Sequence, residues 1–287
     1  MTAALSPLGA HVSAAGGTFE APPRAAAIQA NALQFFTKQA NRWAERLCAD
    51  DECTRFRAAV PAAGVGVTVS HDSYLINLAS PDPALRARSV DSMAAELARC
   101  EALGVDLLVS HPGNYMDDRE AGLARNADGI AEALARAPGP TVLCLETTAG
   151  TGTALGATFE ELAALIDRLP ADARARVGVC LDTCHAYSAG YDLANDYDGV
   201  WARFDDAIGL GRLRVLHLND SKTPFNSRKD RHELIAEGSL GEGPFRRVMT
   251  DPRLAAVPKI LETPKGDDAS VTDARMVERL RGYERDG

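Results

Sequence analysis

The stretch VGVCLDTCHAYSAGYD, residues 177–192, begins like a buried strand and then becomes polar. Its first residues are apolar and mostly β-branched or aliphatic, which favours a strand inside a sheet. Asp182, Cys184 and His185 follow at once, and Ser188 then begins a run of helix-breaking residues. Whether a carboxylate, a thiol and an imidazole at one strand end carry a function depends on how the other strands of the chain end.

Short apolar runs of this kind alternate with amphipathic stretches along the whole chain. The runs lie at residues 5–13, 32–36, 65–71, 106–111, 141–146, 177–182, 213–218 and 258–263. Helices are predicted near residues 18–30, 41–60, 83–103, 118–136, 158–169, 199–210, 243–250 and 270–282. Eight strands alternating with eight helices predict an α/β fold, a single-domain (β/α)8 TIM barrel that covers residues 1–287. The alternative, a doubly wound open sheet, would need a glycine-rich fingerprint after the first strand, and the sequence lacks one there.

The composition agrees with a single globular domain. The chain has 287 residues, 46% of them hydrophobic, and none of its apolar runs reaches the roughly 18–20 residues of a membrane span. The N-terminus lacks the pattern of a signal peptide, and the six cysteines form no C-x-x-C pair, so we expect a cytoplasmic protein without membrane association. A net charge of −9 argues against a general nucleic-acid coat protein, but bound cations or local basic patches would still allow a DNA enzyme.

Ionisable side chains lie at the ends of six predicted strands and in the loop after the seventh. They are His71, His111, Glu146, Asp182 with His185, His217, Glu262 and, in the loop, Asp230 with His232. Because the C-terminal ends of barrel strands meet at one mouth, we expect these groups to gather there. Five of the six histidines belong to this set, and so many ionisable groups at an apolar mouth need a compensating charge. We therefore predict a metal site at the C-terminal mouth.

Each member also has a structural alternative when it is taken alone. A histidine at a strand end is more often a hydrogen-bonded core residue than a ligand, and Asp182 could cap the next helix. As a set, imidazoles and carboxylates suit Zn²⁺, Mn²⁺ or Fe²⁺, and nine ligands are too many for one ion. Two or three ions that share a carboxylate can generate hydroxide near neutral pH and clamp a phosphoryl group, which favours phosphodiester hydrolysis.

At these residues the chain resembles the endonuclease IV family of apurinic/apyrimidinic DNA-repair nucleases. The matching segments follow in order as GAHVSAAGG (9–17), FTK (36–38), HDSYLINL (71–78), HPG (111–113), TAG (148–150), GVCLDTCHAYSAGYD (178–192), HLNDSK (217–222), DRH (230–232) and ILET (260–263). The resemblance implies a TIM barrel that acts on double-stranded DNA with abasic sites. It also implies three zinc ions, with manganese or iron as alternatives at one or more sites, and we expect a monomer without an obligate protein partner.

The resemblance further implies a role for each of the nine residues. The first ion would be held by His71, His111 and Glu146, and Glu146 would bridge to a second ion. The second ion would also take Asp182, His217 and Glu262, and the third would take His185, Asp230 and His232. Hydroxide at the first two ions would cleave the phosphodiester 5′ to the abasic site, leaving a 3′-OH and a 5′-deoxyribose phosphate, with Glu146 and Glu262 as catalytic residues and Glu262 as a general base.

Candidate DNA contacts are less specific. Tyr74 is similar to a family aromatic that inserts near the lesion, although it also fits a half-buried loop tyrosine. His11 is expected to contact the substrate or a metal ligand, and Arg231 and, more weakly, Lys38 to contact phosphate. The stretch QANRW departs from the family pattern, in which an arginine helps to fill the gap that the lesion leaves in the DNA. Arg42 would take this role only if the contact is shifted by one residue.

Two rival functions remain at the level of the sequence. One is a sugar isomerase or epimerase of the xylose-isomerase-like barrel type, which needs only one or two metal ions. It leaves the 230–232 loop pair unexplained. The other is a DNA-lesion binding protein that keeps the fold without catalysis, for which the net charge and the altered QANRW segment leave room.

Overall fold

The eight apolar runs form the strands of a closed parallel barrel in a computed structural model that describes residues 5–286. The barrel strands are β1 (Leu8–His11), β2 (Ala32–Phe35), β3 (Val67–His71), β4 (Leu107–Ser110), β5 (Val142–Glu146), β6 (Val177–Asp182), β7 (Leu213–Leu218) and β10 (Lys259–Leu261). They are hydrogen-bonded in the order β1-β10-β7-β6-β5-β4-β3-β2, and β2 returns to β1 to close the barrel. The predicted TIM barrel is confirmed.

Helices cover the outside of the barrel and follow the strands in sequence. They are α1 (Ala21–Ala27), α2 (Asp50–Ala62), α3 (Pro83–Leu103), α4 (Arg119–Arg136), α5 (Phe159–Arg168), α6 (Ala171–Ala175), α7 (Thr183–Ala189), α8 (Tyr197–Ala207), α9 (Glu242–Thr250) and α10 (Ala269–Asp286). Local sequence sets their starts, as in α3, where Pro83 is the first residue and the Asp82 side chain accepts hydrogen bonds from Ala84 and Leu85. None of the helices within residues 5–286 is both long and apolar enough to cross a membrane.

The barrel interior divides into an apolar layer and a charged layer. The apolar layer consists of Ala32, Val69, Leu107, Val109, Cys144, Cys180, Val215 and Ile260. Along one strand, side chains two residues apart point to the same side. Two residues after Cys144, Cys180, Val215 and Ile260 come Glu146, Asp182, His217 and Glu262, so the strands that build the core also present the charged layer at the mouth.

Two local predictions need correction, and one element was not predicted. The helix predicted at 41–60 begins only at Asp50, and residues 41–49 form an irregular loop. Ser188 does not break the helix, because it lies inside the buried helix α7, which is capped by Gly190 with a left-handed φ of 102°. A short antiparallel pair, β8 (Asp220–Ser221) with β9 (His232–Glu233), is a further element that the sequence pattern did not indicate.

Candidate metal centre

The Glu146 carboxylate lies at the end of β5, is fully buried, and faces four histidines. Its Oε2 atom is 3.3 Å from Nε2 of His71 and 3.4 Å from Nε2 of His111. Its Oε1 atom is 3.0 Å from Nδ1 of His217 and 3.3 Å from Nδ1 of His185. The two oxygens of one carboxylate thus face two different pairs of imidazoles.

The group on the Oε1 side gathers around Nδ1 of His217. This atom lies 3.1 Å from Oε2 of Glu262 and 4.0 Å from Oδ2 of Asp182. Asp182 and His217 are direct partners in the register between β6 and β7, and Glu262 directly follows β10, the other neighbour of β7. Neighbouring strands therefore place three carboxylates, those of Glu146, Asp182 and Glu262, around one imidazole nitrogen.

The third group lies where helix α7 faces the loop before β9. Nε2 of His185 is 3.2 Å from Oδ2 of Asp230, and Nε2 of His232 is 3.2 Å from Oδ1 of the same carboxylate. The two Nε2 atoms are 3.4 Å apart. Asp182 caps α7 by accepting a hydrogen bond of 2.8 Å from the His185 backbone, which fixes where the helix starts relative to the strand end.

All nine residues singled out in the sequence thus come together at one mouth. Their donor atoms form three sets in which every pair lies within 4.8 Å: His71, His111 and Glu146; Glu146, Asp182, His217 and Glu262; and His185, Asp230 and His232. Within the described residues, two further sets of this kind include Cys180 or Cys184. Burial raises the pKa of these thiols to about 12 and about 11, so they stay protonated and are poor ligands.

The hydrogen bonds of the outer ring nitrogens test whether the histidines can accept a cation. Nδ1 of His71, His185 and His232 lies 2.9, 2.9 and 3.3 Å from the backbone carbonyl oxygens of Asp72, Thr147 and Glu262, respectively. A carbonyl oxygen only accepts, so each Nδ1 must carry the hydrogen in these bonds. In the neutral ring the lone pair then lies on Nε2, which faces the carboxylates, and this is the orientation found around bound metals.

Residues that orient the ligands were missed by the sequence analysis. Gln34 of β2 accepts a hydrogen bond of 2.8 Å from Nε2 of His217, and its amide group donates to Oε1 of Glu262 at 2.6 Å. Asn219 donates to Oδ2 of Asp182 at 2.6 Å and accepts from the backbone of Glu262 at 3.0 Å. The only local signal for Gln34 was one polar residue within an apolar strand.

The pKa values show how the cluster balances its charge without a bound ion. Burial opposes the charged forms of His71 and His232, but neighbouring carboxylates outweigh it and raise the pKa of each to about 9. Burial alone would raise the pKa of Glu146 and Glu262, yet the adjacent imidazoles hold both well below the usual value. A cation that binds here would therefore compete with protons for the same nitrogen and oxygen atoms.

Comparisons with known proteins agree with this geometry. Residues 23–280 match the family model described as xylose isomerase-like TIM barrel. A relative from Halorhodospira halophila named "Probable endonuclease 4" is 46% identical over 96% of this chain and 93% of its own length. The crystal structure of endonuclease IV from Thermus thermophilus has a TM-score of 0.87 and 40% identity, with coverage of 98% of this chain and all of that one.

This chain belongs to the endonuclease IV family. The resemblance drawn from the sequence motifs is confirmed, and the protein is a metal-dependent hydrolase of the nuclease class. D-psicose 3-epimerase from Clostridium cellulolyticum also matches, with a TM-score of 0.65 over 98% of this chain and 96% of that one. Its identity is only 15%, so this likeness shows the shared barrel alone.

Two of the candidate DNA contacts lie at the edge of the endonuclease IV centre. Nδ1 of His11 is 3.4 Å from Oε1 of Glu262 and accepts a hydrogen bond of 3.0 Å from Gln34. The Tyr74 side chain is 62% exposed and its ring lies 5.5 Å from the ring of His71. His11 therefore touches a candidate ligand, whereas Tyr74 projects from the mouth beside the first group.

A cavity of about 470 Å³ opens beside His111 and His185. Its wall includes Tyr74, Arg231 and a residue missed by the sequence analysis, Arg228. Gly150 of the TAG segment has a left-handed φ of 74°, and a β-carbon there would lie 2.8 Å from Nη1 of Arg228. The left-handed backbone and this close approach both favour glycine at position 150, and the cavity places basic groups beside the candidate metal ligands His111 and His185.

The structure argues against Lys38 as a DNA contact. Its ammonium group is buried and donates to Glu45 at 2.7 Å, to Ser92 at 3.1 Å and to the Arg42 carbonyl at 3.2 Å. A buried and fully hydrogen-bonded ammonium group cannot reach a phosphate without breaking these bonds. Arg42, by contrast, is exposed.

Proposed function

We propose that this endonuclease IV family member is an apurinic/apyrimidinic endonuclease that hydrolyses the phosphodiester 5′ to abasic sites in double-stranded DNA. Water adds across the bond between phosphorus and the 3′-oxygen, which leaves as a 3′-OH, while the phosphate stays on the abasic deoxyribose. The arrangement of Glu146 carries this proposal, because its two oxygens face two separate groups of histidines. A shared carboxylate is what a multinuclear centre for phosphoryl transfer needs.

The residues fit three zinc ions, with manganese or iron as alternatives at one or more of the positions. His71, His111 and Glu146 would hold the first, Glu146, Asp182, His217 and Glu262 the second, and His185, Asp230 and His232 the third. Such ions supply Lewis acidity and a nucleophilic oxygen near neutral pH. The nitrogen and oxygen donors suit these metals, and the backbone hydrogen bonds already turn three rings toward them.

Glu262 is proposed as the general base and Gln34 as the residue that orients it. Oε1 of Glu262 accepts the 2.6 Å hydrogen bond from Gln34, while Oε2 faces His217. Neighbouring imidazoles hold the pKa of Glu262 well below its usual value against the effect of burial, so the carboxylate is ionised, as a base or a metal ligand must be. His11 is held neutral because burial lowers its pKa, so it adds no repulsion toward an incoming cation.

Substrate selection is assigned to the cavity and its rim. An abasic nucleotide has no base to unstack, so its extrusion from the duplex costs less than that of a normal nucleotide. Tyr74 and Arg231 line the cavity, and Arg42 is exposed on a loop that is hydrogen-bonded to the segment carrying Tyr74, so each would meet DNA. We further propose that the protein works as a cytoplasmic monomer without an obligate protein partner.

A duplex with one tetrahydrofuran abasic analogue tests this proposal. Zinc-loaded protein should cut this strand on the 5′ side of the analogue and leave an end that a DNA polymerase extends, because the 3′-oxygen is the leaving group. The same duplex with a normal nucleotide at that position serves as the control and should stay intact. Binding without a nick would instead identify a lesion-binding protein, and cutting of both duplexes would contradict the proposed lesion specificity.

A further inference from the structure

The loop between β2 and α2 is attached to helix α3 by charged groups, of which Lys38 and Arg99 are buried and Glu45 is partly exposed. This segment, residues 36–49, is called the Arg42 loop here because it carries the exposed Arg42. Glu45 is the main acceptor in this attachment. Its Oε1 atom accepts hydrogen bonds from Lys38 at 2.7 Å and from Ser92 at 2.7 Å, and its Oε2 atom accepts one from Arg99 at 2.6 Å. Ser92 and Arg99 belong to α3, so one carboxylate joins the loop to the helix through both of its oxygens.

The same attachment continues into the buried part of the helix. Arg99 donates from Nε to the Thr37 hydroxyl at 2.9 Å and from Nη1 to the Arg46 carbonyl at 3.2 Å, and it pairs with Glu96. The Thr37 hydroxyl also donates to Glu96. Both ends of the Arg42 loop are therefore fixed to a single helix, and the exposed tip lies between them.

The tip is also joined to the segment that carries Tyr74. The Ala40 carbonyl oxygen accepts hydrogen bonds of 2.6 Å from the Ser73 hydroxyl and 3.1 Å from the Tyr74 backbone. Next to Arg42, the indole of Trp43 lies under the guanidinium of Arg88, another α3 residue, at 4.5 Å from the ring centroid. Arg42 and Tyr74 are thus held as one unit on α3.

We infer that Glu45 is a positioning residue, which holds the Arg42 loop against α3 so that Arg42 and Tyr74 face the DNA as a preformed pair. The DNA part of this inference depends on the proposed function, whereas the attachment of the loop does not. The Glu45 side chain is about one third exposed, at 34%, so water can enter once its charge is removed. If both residues are already in place, less conformational entropy is lost when the DNA binds, and this lowers KM.

The variant Glu45→Gln tests this inference in the full-length zinc-loaded protein. Trp43 and Trp201 are the two tryptophans, and Trp201 is only 1% exposed, so acrylamide quenching of fluorescence reports on Trp43. Release of the loop should increase that quenching and raise KM for the tetrahydrofuran duplex about tenfold, the loss expected for a charged hydrogen bond. The kcat should stay within about twofold, because the metal ligands are untouched.

Two further variants show whether Glu45 acts through Arg42. Arg42→Ala should raise KM to a similar extent, and the double variant should be no worse than Arg42→Ala alone, because the two changes remove one interaction. The control Glu132→Gln alters a 59% exposed partner of Arg136 on α4 and should change neither quenching nor KM. If Glu45→Gln fails to fold, the variant Lys38→Met is used in its place. This variant removes the hydrogen bond between Lys38 and Glu45 and leaves the one between Arg99 and Glu45.

Folded Glu45→Gln protein with unchanged Trp43 quenching would overturn the attachment of the loop. Increased quenching with an unchanged KM, or KM effects of Glu45→Gln and Arg42→Ala that multiply, would overturn the positioning role. A wild-type protein that nicks no abasic duplex would contradict the proposed function instead, and the quenching comparison would still decide whether Glu45 holds the loop.

Discussion

Two clusters of carboxylates at the mouth end of this barrel are balanced in different ways. Where the Arg42 loop meets α3, Glu45 and Glu96 pair with the ammonium group of Lys38 and the guanidinium group of Arg99. At the metal centre, every ion-pair partner of Glu146, Asp182, Asp230 and Glu262 within the part of the chain described is an imidazole. The first cluster is complete by itself, and the second depends on protons or metal ions.

This difference in partners explains why the two clusters have different chemistry. An imidazole can give up its proton and offer a lone pair, while a guanidinium cannot. The candidate metal centre can therefore exchange protons for cations, whereas the network around Arg99 is a structural attachment.

Removal of the shared charge should disable the metal centre. Glu146→Gln keeps the side-chain shape but loses the second anionic oxygen, so we expect nicking of the tetrahydrofuran duplex to fall by at least about 10³-fold, together with a lower zinc content. The variant Glu132→Gln makes the same chemical change on the surface of α4 and should keep full activity. Full activity in Glu146→Gln would show that the carboxylate does not bridge.

The stability gained from zinc should increase with pH. In the metal-free protein the pKa of His71 and His232 is about 9, above the ordinary 6.5, so their contribution to stability is complete below pH 6.5 and is lost as the pH rises toward 9. Zinc must displace these protons, which lowers its apparent affinity at low pH by about tenfold per unit for each proton released. The difference in Tm between zinc-loaded and chelated protein should therefore be larger at pH 8 than at pH 6.

This Tm comparison is best made by calorimetry at equal ionic strength in both buffers. A difference that shrinks between pH 6 and pH 8 would mean that the imidazoles do not exchange protons for metal. That result would leave the comparison between the two clusters without its physical basis.

Loss of a permanent cation should affect stability rather than metal binding. Arg99→Met leaves the buried Glu96 carboxylate without its guanidinium, and breaking a buried pair costs about 3–5 kcal/mol in the free energy of unfolding. Urea denaturation measures this loss, and zinc content should not change. The matched variant Arg136→Met removes an exposed pair with Asp91 and should cost no more than about 1 kcal/mol. A marked loss of zinc in Arg99→Met would show that the clusters are coupled.

Much of the fold and of the candidate site was predictable because it depends on local sequence. Apolar runs located all eight barrel strands, and the convergence of strand ends in a barrel placed His71, Glu146 and Glu262 together although they are far apart in the chain. The family motifs then supplied a division into ligand sets, and the donor atoms group in the same way.

The rest depends on contacts between distant segments, which a single sequence does not display. Gln34 orients His217 from a strand on the other side of β10 and β1, and nothing in ALQFF indicates that pairing. Lys38 was predicted as a weak candidate for contacting phosphate, but Glu45 and Ser92 accept its hydrogen bonds because the Arg42 loop folds onto α3. Residues 41–49 of this loop were predicted as part of a helix from their amphipathic pattern. The ion pairs between the loop and α3 outweigh that weak local preference.

The most direct test of the central claim is the number of metal ions per chain. The protein should be loaded with excess zinc, desalted at pH 8 and measured by mass spectrometry of the metal together with the protein concentration. We expect about three zinc ions per wild-type chain, because the donor atoms form three sets around the mouth. A value near one, or none, would contradict the account of a shared carboxylate and a centre that needs several cations.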